Sequence, residues 1–305
     1  MREGRSDTLR AESRGALLDA IRGVKWPALR PVAGAMPGAH HSRLRGAAPE
    51  LSEYRAYRQG DDPKRIDWRL LARSDRAYIR LAEDRSIVPT IVVVDATASM
   101  AFPPDALSKW RLACDVAVGL AAVAHTARDP VGLLLVSGGG VRHLPPRTRR
   151  GIVGEIARAL DVSRAEGSAS ITAALAGTRA RSRVVIISDF LGDADDVLRR
   201  AGEIAAAGGE VHAVHVVAEE ELDPPRRAML AVDPEDEAIA RPFVGDARAA
   251  YLANFAAWRD ALASGWRGEG LTFTQALTSE PASRVVRRVA GAGTGAAARA
   301  RGESR

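Results

Sequence analysis

From residue 87 the chain alternates continuous apolar runs of strand length with longer stretches whose apolar residues recur at helical spacing. The runs are "VPTIVVVD", "PVGLLLVSGG", "RVVIISDF" and "EVHAVHVVA". Continuous rather than alternating apolar character is expected of strands covered on both faces. Between them, "SKWRLACDVAVGLAAVAHTA", "TRRGIVGEIARAL" and "DADDVLRRAGEIAAAG" read as helices, the last with acids at its start, where the helix dipole favours them. "RHLPP" reads as a hairpin partner of the second strand. An amphipathic helix, "ARAAYLANFAAWRDALASGWRG", then precedes a short strand, "LTFTQAL". This order predicts an α/β fold: a Rossmann-like open, mostly parallel sheet with helices on both faces, and a smaller N-terminal segment packed on it.

The N-terminal side has a different texture. Residues 1–13 are polar and expected to be disordered, and residues 14–28 read as a short amphipathic helix ended near Pro27. "PVAGAMPGAHHSRLRG" is rich in Gly and Pro and reads as loop. A dense polar-aromatic block follows over residues 50–86. The expected organisation is therefore 1–13 disordered, 14–86 helix, loop and polar block, 87–285 sheet domain, and 286–305 a low-complexity disordered tail.

Composition narrows the partners. The chain has 305 residues, of which 46% are apolar, enough for one large or two modest domains. The net charge of +6 is carried mostly by arginine, with Lys64 and Lys109 among the few lysines. The basic residues are spread along the chain, mixed with acids and not interleaved with aromatics, which argues against a nucleic-acid partner. Cys114 is the single cysteine, so no disulfide or thiolate metal site can form within one chain. The N-terminus lacks an apolar signal-peptide core, and the longest apolar runs are about half the length of a membrane span. The expectation is a cytoplasmic protein with no membrane span.

The candidate chemistry lies at strand ends, where open parallel sheets bind ligands. "IVVVDATASM" carries Asp95 out of an apolar strand and follows it with Thr97 and Ser99 at alternate positions; Asp189 ends "VVIISD" in the same way. A carboxylate and two hydroxyls in one turn offer hard oxygens that suit Mg²⁺. The same residues could instead cap backbone N–H groups. His212 and His215 are three apart on a strand and so face opposite ways, and His40 and His41 fall in the Gly/Pro loop. No P-loop sequence is present.

"DATASM" is similar to the D-x-S-x-S motif of von Willebrand factor A domains, which form a metal-ion-dependent adhesion site. The resemblance implies Asp95, Thr97, Ser99 and, from a third loop, Asp189 as metal residues. It also implies a threonine from a second loop within "AEGSASITAAL", where this chain has Ala169; Ser168 or Ser170 could stand in, and Thr172 fits less well. The block "EYRAYRQGDDPKRIDWRLLARSDRAYIRLAEDR" resembles the signature of the domain-of-unknown-function 58 family, whose members join it to a von Willebrand A-like domain. Within the block, Arg58, Gly60, Asp61, Asp62, Asp67, Trp68 and Arg73 read as an ion-paired clamp with Trp68 burying apolar area; Asp61 and Asp62 could alternatively form a second metal or catalytic pair.

The resemblance, which covers roughly residues 40–285, implies a non-enzymatic protein-binding or adaptor module. Its cofactor would be Mg²⁺ or Mn²⁺. Its partner would be a MoxR-type AAA+ ATPase, or another protein presenting an acidic residue, in complex assembly or maturation. The alternative reading is a metal-dependent phosphoesterase or nuclease.

Overall fold

The computed structural model describes residues 13–28, 37–41, 51–58, 63, 66–74, 76–82, 85–178, 181–224, 230–232, 240–242 and 246–302. Helix α1 (13–20) opens the described chain. Strands β1 (Pro37–His41) and β2 (Leu51–Ala56), helix α2 (Trp68–Ser74), and strands β3 (Tyr78–Ala82) and β4 (Arg85–Ser86) follow. β1 pairs with β4 and β2 with β3, each as an antiparallel ribbon. The sheet domain comprises β5 (Thr90–Ala96), α3 (Ser108–Thr126), β6 (Val131–Ser137), β7 (Gly140–Arg147), α4 (Ile152–Asp161), α5 (Ile171–Leu175), β8 (Arg183–Ser188), α6 (Ala194–Ala206), β9 (Glu210–Val217) and α7 (Glu219–Leu222). A small β10–β11 ribbon (Leu230–Val232, Ala240–Pro242), α8 (Asp246–Gly268), β12 (Thr272–Leu277) and α9 (Ala282–Gly302) complete it.

The main sheet has the order β12-β9-β8-β5-β6-β7. All neighbours are parallel except β6 and β7, which form the expected hairpin. The open, mostly parallel sheet with helices on both faces is therefore the fold the apolar pattern predicts. Period-two alternation divides β5 between two cores. Val92, Val94 and Ala96 face a core built with α3, α4 and α9, while Ile91 and Val93 face one built with α5, α6 and α8. Among the described residues no helix is long and apolar enough to cross a membrane.

The segment after α1 is fastened beneath the amino ends of the strands by Arg183, whose side chain is fully buried. Its guanidinium donates to Glu210 at 3.0 Å and to the carbonyl oxygen of Pro27 at 3.1 Å, and lies 4.4 Å from the Trp26 ring centre. A planar fork suits this task because it can serve a carboxylate and backbone carbonyls at once while stacking on an indole.

The structure differs from the sequence reading in several places, beginning with α1, which ends at residue 20 and not near Pro27. Of the stretch expected to be a disordered tail, residues 286–302 belong to α9, in which Val285, Val286, Val289 and Ala290 are fully buried. Its apolar residues recur at helical spacing over only two turns, too short a pattern to stand out beside the Ala/Gly/Arg-rich sequence that follows. Gly119 on α3 permits this packing: a Cβ there would sit 2.7 Å from Val286 Cγ2. Residues 37–41, read as loop, form β1. Trp68, expected to bury apolar area, is 61% exposed, because it opens α2 on the solvent side. Asp67 beside it accepts from the Leu70 N–H at 3.1 Å, acting at the start of α2. Arg58 and Arg73 are exposed, and Gly60, Asp61 and Asp62 lie outside the described residues.

Each buried valine of α9 contributes about 1.5–3 kcal/mol of transfer free energy, and each kcal/mol moves the melting temperature of a domain this size by about 2–4 °C. A chain ended after residue 281 should therefore melt on the order of 10 °C below one ended after residue 292. Equal melting curves by circular dichroism would show that α9 adds nothing to the core.

Candidate metal-binding rim of the sheet

The parallel register of β5 and β8 pairs Val94 with Ile187, so Asp95 and Ser188 end their strands side by side. Side chains on neighbouring strands at one level share a face. The residue that meets Asp95 is therefore Ser188, whose hydroxyl donates to Asp95 Oδ2 at 2.6 Å. Asp189, one residue further, has the opposite parity. Asp95 is only 4% exposed. Its Oδ1 accepts from the Thr97 N–H at 2.9 Å and the Thr97 hydroxyl at 2.8 Å. The Thr97 and Ser99 hydroxyl oxygens are 3.2 Å apart, and both residues are buried. Asp95, Thr97 and Ser99 thus form one cluster, with Ser188 added.

Asp189 is turned toward α3. Its Oδ2 lies 2.6 Å from the Lys109 ammonium, which is also 2.8 Å from Glu221 Oε1 on α7. Lys109 is fully buried and Asp189 is 2% exposed. The second oxygen of each acid is used as well: Asp189 Oδ1 accepts from the Leu191 N–H at 3.2 Å, and Glu221 Oε2 from the Ala218 N–H at 2.7 Å. Two non-glycine residues flanking this pair have left-handed backbones, Leu107 (φ 51°) and Phe190 (φ 55°). Such conformations are costly for bulky residues and persist only where the surroundings over-determine them.

The second loop lies over the β5 rim. The Glu166 N–H bonds Ala96 O at 2.9 Å, and the Ala98 N–H bonds Gly167 O at 2.8 Å. Gly138 and Gly167 touch backbone to backbone; a Cβ on Gly138 would lie 2.8 Å from Gly167 Cα. A cleft of about 260 Å³ opens between the loops, lined by Asp95, Thr97, Ser168, Ala169, Phe190 and Asp193, among others. Ser168 is exposed at its edge. Ser170 caps α5 and donates to Asp193 Oδ2 at 2.5 Å, and the Thr172 N–H reaches the same oxygen at 3.4 Å.

Burial pushes the Asp95 carboxyl up to about 6, and the neighbouring Asp189 charge adds to it; the bonds from Ser188 and Thr97 oppose the rise without cancelling it. Burial alone would pull the Lys109 ammonium down, but the charges of Asp189 and Glu221 outweigh it and hold the group above its ordinary value. His212 packs edge-on to Trp26, and His215 packs against Phe190 and Trp258, so the two do sit on opposite faces. Burial lowers them to about 3 and about 4. Among the described residues no three His, Cys, Asp or Glu side chains gather to hold an ion, so any cation here depends on hydroxyls.

Sequence reasoning missed Ser188, Lys109, Glu221 and Asp193. Lys109 alone carried a signal: it is one of three lysines, with Lys25 and Lys64, in a chain that otherwise uses arginine.

Residues 53–258 match the family described as "Protein of unknown function DUF58". Over 246 residues the chain is 28% identical to uncharacterized proteins of Mycobacterium tuberculosis and Mycobacterium bovis, covering 74% of this chain and 73% of each relative. It is similar to the conserved hypothetical protein BatB from Bacteroides thetaiotaomicron, with 15% identity and a TM-score of 0.44 over 68% of this chain and 99% of that one. The VWA domain of SpRpn10 gives 12% identity and a TM-score of 0.37 over 66% of this chain and 94% of that one.

The raised Asp95 value has a definite sign. The folded state binds this proton more tightly than the unfolded state, so stability from this group is present below the unfolded value of 3.8 and lost as pH rises toward about 6. Two units correspond to about 3 kcal/mol. Thermal melts with chelator present should show Asp95→Asn more stable than wild type at pH 7.5 and equal to it near pH 4. A variant that is less stable at both would refute this account of the carboxylate.

Proposed function

The chain belongs to the family described as "Protein of unknown function DUF58", and from that premise we propose that it is a protein-binding adaptor whose binding site is a divalent cation held at the carboxyl rim of the sheet. The single observation that carries this reading is the first-loop oxygen cluster. Two hydroxyl oxygens 3.2 Å apart match the edge between neighbouring ligands of an octahedral Mg²⁺, about 3.0 Å for bonds of about 2.1 Å. The buried carboxylate beside them accepts from hydroxyls and an N–H, and burial, with the Asp189 charge added, raises its proton affinity.

Charge counting supports the same reading. Among the described ion pairs Lys109 serves Asp189 and Glu221 and not Asp95, which leaves the Asp95 charge for a cation to meet. In this proposal Thr97 and Ser99 would hold the ion through their hydroxyls, Asp95 would orient Thr97 and add charge, and Asp189, already engaged by Lys109 and the Leu191 N–H, would act through its charge alone. Ser168 stands at the cleft edge as a weak substitute for the missing second-loop threonine. The ion would supply positive charge and an open position for a partner's carboxylate. Mg²⁺ is the proposed ion, with Mn²⁺ as its substitute. A MoxR-type AAA+ ATPase, or another protein presenting an acidic residue, is the proposed partner.

Calorimetry should detect Mg²⁺ or Mn²⁺ binding to wild type and none to Asp95→Ala, with the fold of the variant retained by circular dichroism. Ala169→Thr should bind several-fold more tightly, since it restores a hydroxyl facing the cleft. Pull-down of the ATPase should fall with EDTA and with Asp95→Ala. Retention that ignores both would remove the metal bridge.

A further inference from the structure

Lys109 is a buried cation at the rim that no motif assigns. It is fully buried, and both its partners are carboxylates. Resting on the metal reading above, we infer that Lys109 is a built-in counter-cation: by pairing with Asp189 it limits how tightly the 95–99 loop holds a divalent ion, and so keeps that ion electrophilic toward a partner's acid.

The argument is one of charge and place. Asp189 directly follows Ser188, whose hydroxyl donates to Asp95 at 2.6 Å, so the two carboxylates occupy adjoining positions on one rim with little solvent between them. Any field from Asp189 that reaches Asp95 also reaches a cation beside Asp95. Lys109 sits on Asp189 at 2.6 Å and opposes that field in a region from which solvent is excluded. Without the ammonium, Asp189 would offer the ion its full charge, or swing into its coordination shell. The ion would then be held more tightly, but with less net positive charge to show a partner. A permanently charged lysine thus exchanges ion affinity for ligand-capturing power. Glu221 anchors the other side of the ammonium and ties it to α7, which fixes Lys109 where it acts.

Lys109 is on this account a positioning residue, acting through Asp189 and not on the ion itself. A merely structural lysine would predict a different pattern, which makes the two separable. The probe is Mn²⁺ alone, titrated by calorimetry into the full chain as wild type, Lys109→Met and Lys109→Gln, each with Asp189 retained or replaced by Asn. Lys109→Gln keeps polar contacts and serves if Lys109→Met does not fold.

The expected result is Mn²⁺ binding at least about tenfold tighter in the Lys109 variants, with the gain lost in the Asp189→Asn background. Melting temperatures without metal should drop by roughly 10 °C in Lys109→Met, because the buried Asp189 and the partly exposed Glu221 lose their counter-charge, and should recover most of that with saturating Mn²⁺. Unchanged or weaker Mn²⁺ affinity in the Lys109 variants, with wild type binding normally, overturns the inference and leaves the metal site standing. A gain that persists with Asn at 189 overturns the route through Asp189. No Mn²⁺ binding by wild type or any variant overturns the metal reading itself, and this inference with it.

Discussion

A carboxylate cannot remain charged at the end of a fully buried strand unless something nearby balances it, and the rim of this sheet is organised by that constraint. The β5–β8 register brings Asp95 and Asp189 into one water-poor neighbourhood. Their surroundings then diverge. Asp95 is met by hydroxyls and an N–H, which stabilise it without cancelling its charge. Asp189 is met by an ammonium. Isolated burial of such groups would cost several kcal/mol each. Polar residues are therefore dense here: Thr97 and Ser188 bond Asp95, Lys109 pairs with Asp189, and Ser99 and Glu221 hold Thr97 and Lys109 in turn.

The two ends of the sheet use different cations, and the difference is physical. At the amino ends Arg183 must hold Glu210, backbone carbonyls and the Trp26 face together, which needs a flat, many-pronged group. At the carboxyl ends the space between Asp189 and Glu221 needs a compact charge reached from the first turn of α3. An ammonium fits between two oxygens at 2.6 and 2.8 Å without a further plane to accommodate. In a chain with three lysines among 44 basic residues, a lysine at a buried ion pair is a departure from its own habit.

The sheet was legible because its information is local. Apolar runs such as Ile91–Val94 and Val184–Ile187 name buried strands, and the helical spacing between them names the coverings. Asp95, Thr97 and Ser99 were legible for the same reason, since a single turn brings them together. What crosses between elements was not. That Ser188 and not Asp189 faces Asp95 depends on strand register and parity, and a one-residue change in register would exchange them. That Lys109 and Glu221 meet depends on how α3 and α7 sit over the rim, more than a hundred residues apart in the chain. The buried face of α9 was hidden by composition, because its valines lead directly into a run of Ala, Gly and Arg.

The second loop explains why the rim is shallow on one side. Backbone contact between Gly138 and Gly167 sets its height, and its backbone is bonded to Ala96 and Ala98, so the loop cannot move away. Yet at 169 it presents a methyl, and the Ser170 hydroxyl is turned onto Asp193 and the cap of α5. Oxygens thus converge from the 95–99 turn, while across the cleft stand Ser168 at the edge and an Asp193 carboxylate already bonded by Ser170 and the Thr172 N–H. An ion held there would keep more water-occupied positions than a fully caged one. Exchangeable positions on a weakly neutralised ion suit capture of an incoming carboxylate. On the proposed reading, the methyl at 169 would leave a coordination position open for a ligand supplied by another protein.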